Sequence, residues 1–417
     1  MIQNYIQEFN QQASTGVVWL DQLRQNSMAK FEKTGFPTQR IEEWKDTNIS
    51  SISGKYFKSP NQKTTLSSPP DRTLWNKNFH IAFVNGFCEP IDIKIPGLVI
   101  TKLSDAIETL TPELQDVMNL KLDYEHSMMD LNTSMVREGV VIQVEQDAHI
   151  EEPIYLIYQS DTSGEAFYYR NLILANRSSK IKIVEVFLSE NESWTIPVTQ
   201  IQTMENASVE HVLIQAEGLD SSHTGIVVGK LGKNSSLSTL SFVYGGKITR
   251  NDISMNLDGE GSSCVMDGIY AVSNSQTVDH HTCVNHSKPN CNSFENYRGV
   301  LMDQAHGIFQ GKIFVAQDAQ KTDAKQMNQN LLLSASAKVN TAPQLEILAD
   351  DVKCSHGATI GKLDEAQIFY LRTRGIELSV AQQMLVSAYA DEVISKISIP
   401  ELQSELSKML SAKIGVV

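Results

Sequence analysis

Four segments of the chain share one plan, and their spacing restricts the fold more than any other feature. RSSKI, NASV, NSSL and SSCV each place small polar residues just before an apolar one. The apolar residues, Ile181, Val209, Leu237 and Val265, follow one another at intervals of 28 residues. QDAHI, ending at Ile150, and SAKV, ending at Val339, look like looser copies. A unit of short strands and polar turns cannot bury its own apolar face, whereas stacked copies build one continuous core. The spacing therefore predicts a solenoid. Hexapeptide repeats of the left-handed type are not evident, so a larger, irregular parallel β-helix fits better. A β-sandwich of about ten strands is the alternative that the spacing alone leaves open.

The regions on either side of the repeat have a different period. Ile2, Tyr5, Ile6 and Phe9, then Trp19, Leu20, Leu23 and Phe31, recur at helical spacing. Ser104 ahead of DAIETL and Thr111-Pro112 ahead of LQDVMNLKL read as helix starts. Between Phe31 and Ser104, Asn85-Gly86 separates two apolar runs, a hairpin signal. From about Val136 the helical period is lost, and short β-branched and aromatic runs continue for over two hundred residues. After Asp351 helices return. Asp364 with Gln367 resembles a capping box, Gly375 suits a helix end, and Pro400 opens a last helix with Leu402, Leu406, Met409 and Leu410 on one face. That face is expected to pack on the end of the β-structure or to dock a separate partner. The expected division is a mostly helical region with a hairpin at 1–135, a β-helix core at 136–360 and a helical domain at 361–417.

Composition narrows the function classes. The 417 residues carry 35 Lys and Arg against 49 Asp and Glu, a net charge of −14, which argues against a nucleic-acid or anionic-membrane binder. No stretch approaches the ~18 to 20 apolar residues needed to cross a bilayer, and the first twenty residues lack the pattern of a signal peptide. A cytoplasmic location is expected. Five cysteines, Cys88, Cys264, Cys283, Cys291 and Cys354, are too few and too scattered for a disulfide scaffold, which points instead to thiol, metal or redox chemistry.

Two stretches could carry that chemistry. Asp279 to Cys291 holds His280, His281, Cys283, His286 and Cys291, all potential ligands of zinc, iron or copper. Their spacing matches no closed zinc site, and on a strand His281 and Cys283 point away from His280 and His286. Stacked side chains inside a β-coil account for them equally well. The second stretch is Asp350 to Gly357, where Cys354 and His356 share one face of an extended chain, ~7 Å apart at ~3.3 Å per residue. Two ligands make half of a tetrahedral site. The remainder would come from a distant loop, a second chain, or transferred sulfide and thiols; a structural Cys beside a hydrogen-bonded His is the simpler alternative. No Gly-x-x-x-x-Gly-Lys-[Ser/Thr], dinucleotide fingerprint or Gly-x-Ser-x-Gly elbow occurs, so the chain is not expected to hydrolyse ATP itself.

From Asp279 to Gly375 the chain resembles the SufB/SufD family of iron–sulfur cluster assembly proteins. The residues that carry the likeness are Asp279, His280 and His286, NSFENYRGVL, GIFQGKIFVAQDAQKTDA, NLLLSASA, PQLEILADDVKCSHGATIG and IFYLRTRGI. The CSHGAT form (Cys354 to Thr359) and GFPTQRIEEWKDT (Gly35 to Thr47) resemble the SufD branch, with Asp46 where that branch usually has Tyr. The resemblance implies a right-handed parallel β-helix core flanked by N-terminal and C-terminal helical regions, hence a mainly β fold. It further implies a scaffold subunit without turnover of its own. Such a subunit pairs with SufB through the C-terminal part of the β-helix and docks the SufC ATPase with its C-terminal helices. A nascent cluster is built at the SufB–SufD interface from iron and sulfur delivered by SufE or SufU. His356 and Cys354 are then the interface ligand candidates, with His280, His281, Cys283, His286 and Cys291 as alternatives. No tightly bound cofactor is expected in the isolated chain, only transient iron or a cluster in the complex, and the isolated chain could form a homodimer through the same edge. The rival class is an enzyme, either carbohydrate-active and β-helical or a zinc hydrolase using His280, His281, Cys283 and His286.

Overall fold

The computed structural model describes residues 1–67 and 79–415. From Glu138 onward the chain coils through two sheets that face each other across a shared core, and from Val198 successive strands fall alternately in one and the other. Short β-branched runs broken by polar turns leave no length for a crossover helix, so each strand is followed by a bend and its stacking partner is the equivalent strand one turn later. Ser208–Gln215 therefore pairs in parallel with Lys180–Ser189 on one side and Ser236–Val243 on the other. The first of the two sheets has ten strands and ends at Lys353–Gly361. The second has eleven, and its main path ends at Lys338–Ile347. Antiparallel pairs occur at the amino-terminal end, where His80–Val84 turns at Asn85 and Gly86 into Phe87–Cys88, and where Leu98–Lys102 pairs with Glu138–Val144. The expected hairpin and the solenoid are both present, and the sandwich is excluded.

The polar half of the repeat has a backbone cause. Ser178, Asn206, Asn234, Gly261 and Asn290 occupy one corner of successive turns with φ of +56°, +58°, +53°, +71° and +62°. Asn and Gly tolerate this left-handed conformation best. The N–H of each corner residue donates to a carbonyl of the next turn: Asn206 to Lys233 and Asn234 to Glu260, both at 2.9 Å. The small residue that follows each corner, Ser179, Ala207, Ser235, Ser262 or Cys291, is buried. Cys291 is therefore a turn-core residue.

The repeat is less regular than its first four copies. Ile181, Val209 and Leu237 are register partners, but the next member of that column is Cys264, while Val265 pairs with Ser238 and faces outward. A turn one residue shorter, closed by Gly261, makes the difference. Val339 lies in the other sheet, opposite Gly307, so SAKV is not a copy of the same corner.

Helices cover both sheets laterally. Tyr5, Phe31 and Trp44 pack with Trp194, Ile196 and Ile248 on the outer face of the longer sheet. On the ten-stranded sheet, Val386, Ala390 and Val393 of helix Leu378–Ile394 and Leu402, Leu406, Leu410 and Ile414 of helix Pro400–Ile414 meet Val184, Val212, Phe242, Ile269 and Val300. The last helix thus lies along a sheet face and not on the end of the solenoid, because outward positions of those strands are themselves apolar. The carboxyl-terminal end carries no helical cap among the described residues.

Candidate functional site at the open end

The last turn consists of Lys338–Ile347 and Lys353–Gly361. Among the described residues each pairs with one strand only, His306–Val315 and Asp323–Leu332 respectively. Two strand edges therefore end the solenoid with a row of unpaired backbone groups, the arrangement that recruits another strand. Apolar side chains accompany them: Leu348 and Ile360 are 55% and 50% exposed.

Cys354 and His356 lie on the inward face of Lys353–Gly361. Their register partners one turn earlier, Ala324 and Gln326, are buried in the lumen. Cys354 packs against the apolar core and is half-buried, and burial pushes its thiol above the ordinary value. The His356 side chain is exposed at the mouth. The pair is neither sealed in the barrel nor free on the outer surface, because no further turn covers it among the described residues.

Below the mouth the lumen becomes polar. Thr282 Oγ1 donates to Glu295 Oε2 at 2.8 Å, and Gln326 Nε2 donates to the same oxygen at 3.2 Å. Glu295 is buried, and burial pushes its carboxyl up to about 7 against the opposing effect of these two hydrogen bonds. This tier was not foreseen from sequence; its signal is an acid in a strand whose alternate neighbours, Ser293 and Tyr297, face inward.

The histidine- and cysteine-rich strand Thr277–His286 does not assemble a second site. Alternation sends His280 and His286 into the lumen, while His281 and Cys283 lie on the outer face, and Cys291 sits in the following corner. His280 Nε2 bonds Ser241 Oγ at 3.1 Å between Tyr270 and Tyr297, and burial lowers its pKa to about 3. His286 Nε2 bonds Ser293 Oγ at 2.8 Å, and burial lowers its pKa to about 4. Outside, His281 Nε2 pairs with Gln310 Oε1 at 2.8 Å, and the Cys283 thiol, raised by burial, lies 2.8 Å from Asp123 Oδ2. No three His, Cys, Asp or Glu among the described residues converge as metal ligands. The zinc-hydrolase arrangement is thus corrected by strand alternation.

A second exposed surface stands beside the solenoid. Helix Glu365–Thr373 buries none of its residues, and Phe369 and Tyr370 are 70% and 58% exposed. Leu378, Val380 and Met384 at the start of the next helix are also exposed. Asp364 caps the first helix by accepting from Ala366 N at 2.8 Å, and Gly375 at φ +82° ends the turn behind it.

Residues 157–389 match the family described as SUF system FeS cluster assembly, SufBD core domain, and residues 1–75 match the SufBD protein N-terminal region. The chain is 31% identical to the iron–sulfur cluster assembly protein SufD of Escherichia coli (strain K12), with 94% of this chain and 91% of that protein covered. It is 27% identical to an iron–sulfur cluster assembly SufBD family protein of Synechocystis, covering 90% and 87% of the two chains. It is also 27% identical to the chloroplastic protein ABCI7 of Arabidopsis thaliana, covering 93% and 84%.

Proposed function

The chain belongs to the SufBD family of SUF-system iron–sulfur cluster assembly proteins, and on that premise we propose that it is a scaffold subunit without turnover of its own. It pairs edge to edge with SufB, so that a cluster is built where Cys354 and His356 meet ligands of the partner. The observation that carries this reading is the uncapped last turn, which combines two unpaired strand edges with a thiol and an imidazole facing the mouth. A partner strand satisfies the edges, and its side chains complete a half-site. Thiolate and imidazole suit iron, the cargo of the assembly, and both must be unprotonated to bind it. Burial pushes the Cys354 thiol above its ordinary value, and a metal that binds there displaces the thiol proton.

The exposed Phe369, Tyr370, Leu378, Val380 and Met384 fit docking of the SufC ATPase. In this reading residues 1–135, 136–360 and 361–417 act as cover, coil and docking arm. A second copy of the chain could cover the same edge when the partner is absent, giving a homodimer. Co-expression with SufB and SufC tests the assignment. His356→Ala should leave the complex assembled and lose its iron and acid-labile sulfide; unchanged iron and sulfide would remove His356 from the site. Phe369→Ala with Tyr370→Ala should lose SufC and keep SufB. Deleting everything after Gly375 is a poorer test, because it strips Leu406 and its neighbours from the sheet.

A further inference from the structure

The inward column that ends in His356 contains two buried polar side chains whose hydrogen-bonding capacity the chain leaves partly unused. Glu295, Gln326 and His356 are successive register partners on adjacent strands. Gln326 reaches toward the opposite sheet, where Gly311 leaves it room: a Cβ at that glycine would lie 2.3 Å from Gln326 Nε2. Nε2 spends one of its two N–H groups on Glu295 Oε2, which fixes the orientation of the amide, and Gln326 Oε1 is left buried without a partner. Thr282 holds the same Glu295 oxygen from the other side, so the carboxylate itself is kept in place.

An acceptor buried without a donor is unfavourable, and one next to a functional residue calls for an explanation. The neighbouring strand supplies a donor. Adjacent strands lie ~4.8 Å apart, which puts an inward-turned imidazole at position 356 against the Gln326 amide. A metal-bound imidazole ordinarily donates its second N–H to a carbonyl or carboxylate, which selects the tautomer and aims the other nitrogen at the metal.

We propose that Gln326 and Glu295 are positioning residues for His356. In the completed interface Gln326 Oε1 accepts one imidazole N–H, the other ring nitrogen faces the metal, and Glu295 sets the amide orientation that makes this possible. The inference rests on the scaffold reading, since His356 needs a ligand role for its orientation to matter.

The test uses the full chain in its co-expressed complex with SufB, labelled with 15N-histidine and titrated with Zn2+ as a diamagnetic probe. His356→Ala identifies the His356 ring signals. Gln326→Leu should weaken Zn2+ binding tenfold or more and turn a single His356 tautomer into a mixture. The exchange Glu295→Gln with Gln326→Glu keeps the donor–acceptor pair and the free acceptor, and should restore both. Wild-type affinity and one tautomer in Gln326→Leu overturn the proposal, as does failure of the exchange to restore them. Should Gln326→Leu not fold, the exchange alone decides: one tautomer supports the proposal and a mixture overturns it. If His356→Ala itself binds Zn2+ like the wild type, the scaffold reading has failed instead.

Discussion

The guanidinium of Arg250 lies 3.8 Å from the centroid of the Trp44 ring, joining the amino-terminal region to the solenoid. Arg250 is fully buried on Ile248–Leu257; its Nε and Nη2 donate to Asp252 at 2.9 and 2.7 Å, and its Nη1 donates to Asp279 Oδ2 at 2.7 Å and to the Glu43 carbonyl at 2.6 Å. Thr47 Oγ1 donates to Asp279 Oδ2 at 2.6 Å, and His126 Nε2 sits 3.0 Å from Asp252 Oδ2. The segment GFPTQRIEEWKDT therefore has a physical role: Trp44 covers the cation, and Thr47 donates a hydrogen bond to the Asp279 carboxylate. Asp46 at its end accepts from Asn340 on the terminal strand at 2.8 Å.

Arg250→Met should be among the most damaging single changes in the chain. It leaves the Asp252 and Asp279 carboxylates buried without their cation, a loss of about 3–5 kcal/mol. Chemical denaturation at pH 7 measures it, and a loss below about 1 kcal/mol would show that the network is not holding the two regions together.

The buried imidazoles give a signed pH dependence. Burial lowers His280 to about 3 and His286 to about 4, so below about pH 6.5 the unfolded chain binds protons that the folded chain does not. Their stabilisation is present above that pH and is lost as the pH falls toward the folded values. Glu295, raised to about 7, acts in the opposite sense over the same range and gains stability on acidification. His280→Gln should therefore reduce the stability lost between pH 7 and pH 5 by roughly 2 kcal/mol relative to the wild type, read from urea melts at the two pH values.

Helical residues of similar character should separate by burial. Leu406→Ala removes a fully buried side chain from the sheet-covering cluster and should cost about 2–5 kcal/mol. Val380→Ala and Met384→Ala lie on exposed positions of the preceding helix and should leave the thermal midpoint unchanged, whatever they do to partner binding.

Gly268→Ala tests how closely the lumen is packed. A Cβ at Gly268 would lie 2.3 Å from the Tyr297 ring, itself fully buried beside His280 and Phe309. Overpacking of this kind costs roughly 1–3 kcal/mol. An unchanged midpoint would mean that the ring column can shift freely.

The order of elements was readable along the chain because local chemistry sets it. Period-2 runs, residues suited to left-handed corners and an Asn-Gly turn place strands and bends without reference to distant contacts. The inward and outward sense of His280, His281, Cys283 and His286 followed from strand alternation in the same way. The failures came where two turns had to be compared. Val265 matched the interval and Cys264 took the position, since a one-residue change in a corner is visible only when the strands are laid side by side. The last helix illustrates a second limit: its apolar stripe is plain in sequence, but which surface receives it depends on outward residues of seven strands spread from Tyr155 to Leu331. Cys354 and His356 could be paired from their spacing alone. That no further turn covers them among the described residues, and that Gln326 and Glu295 lie beneath them, was decided by stacking, which brings residues about thirty positions apart into neighbouring rungs.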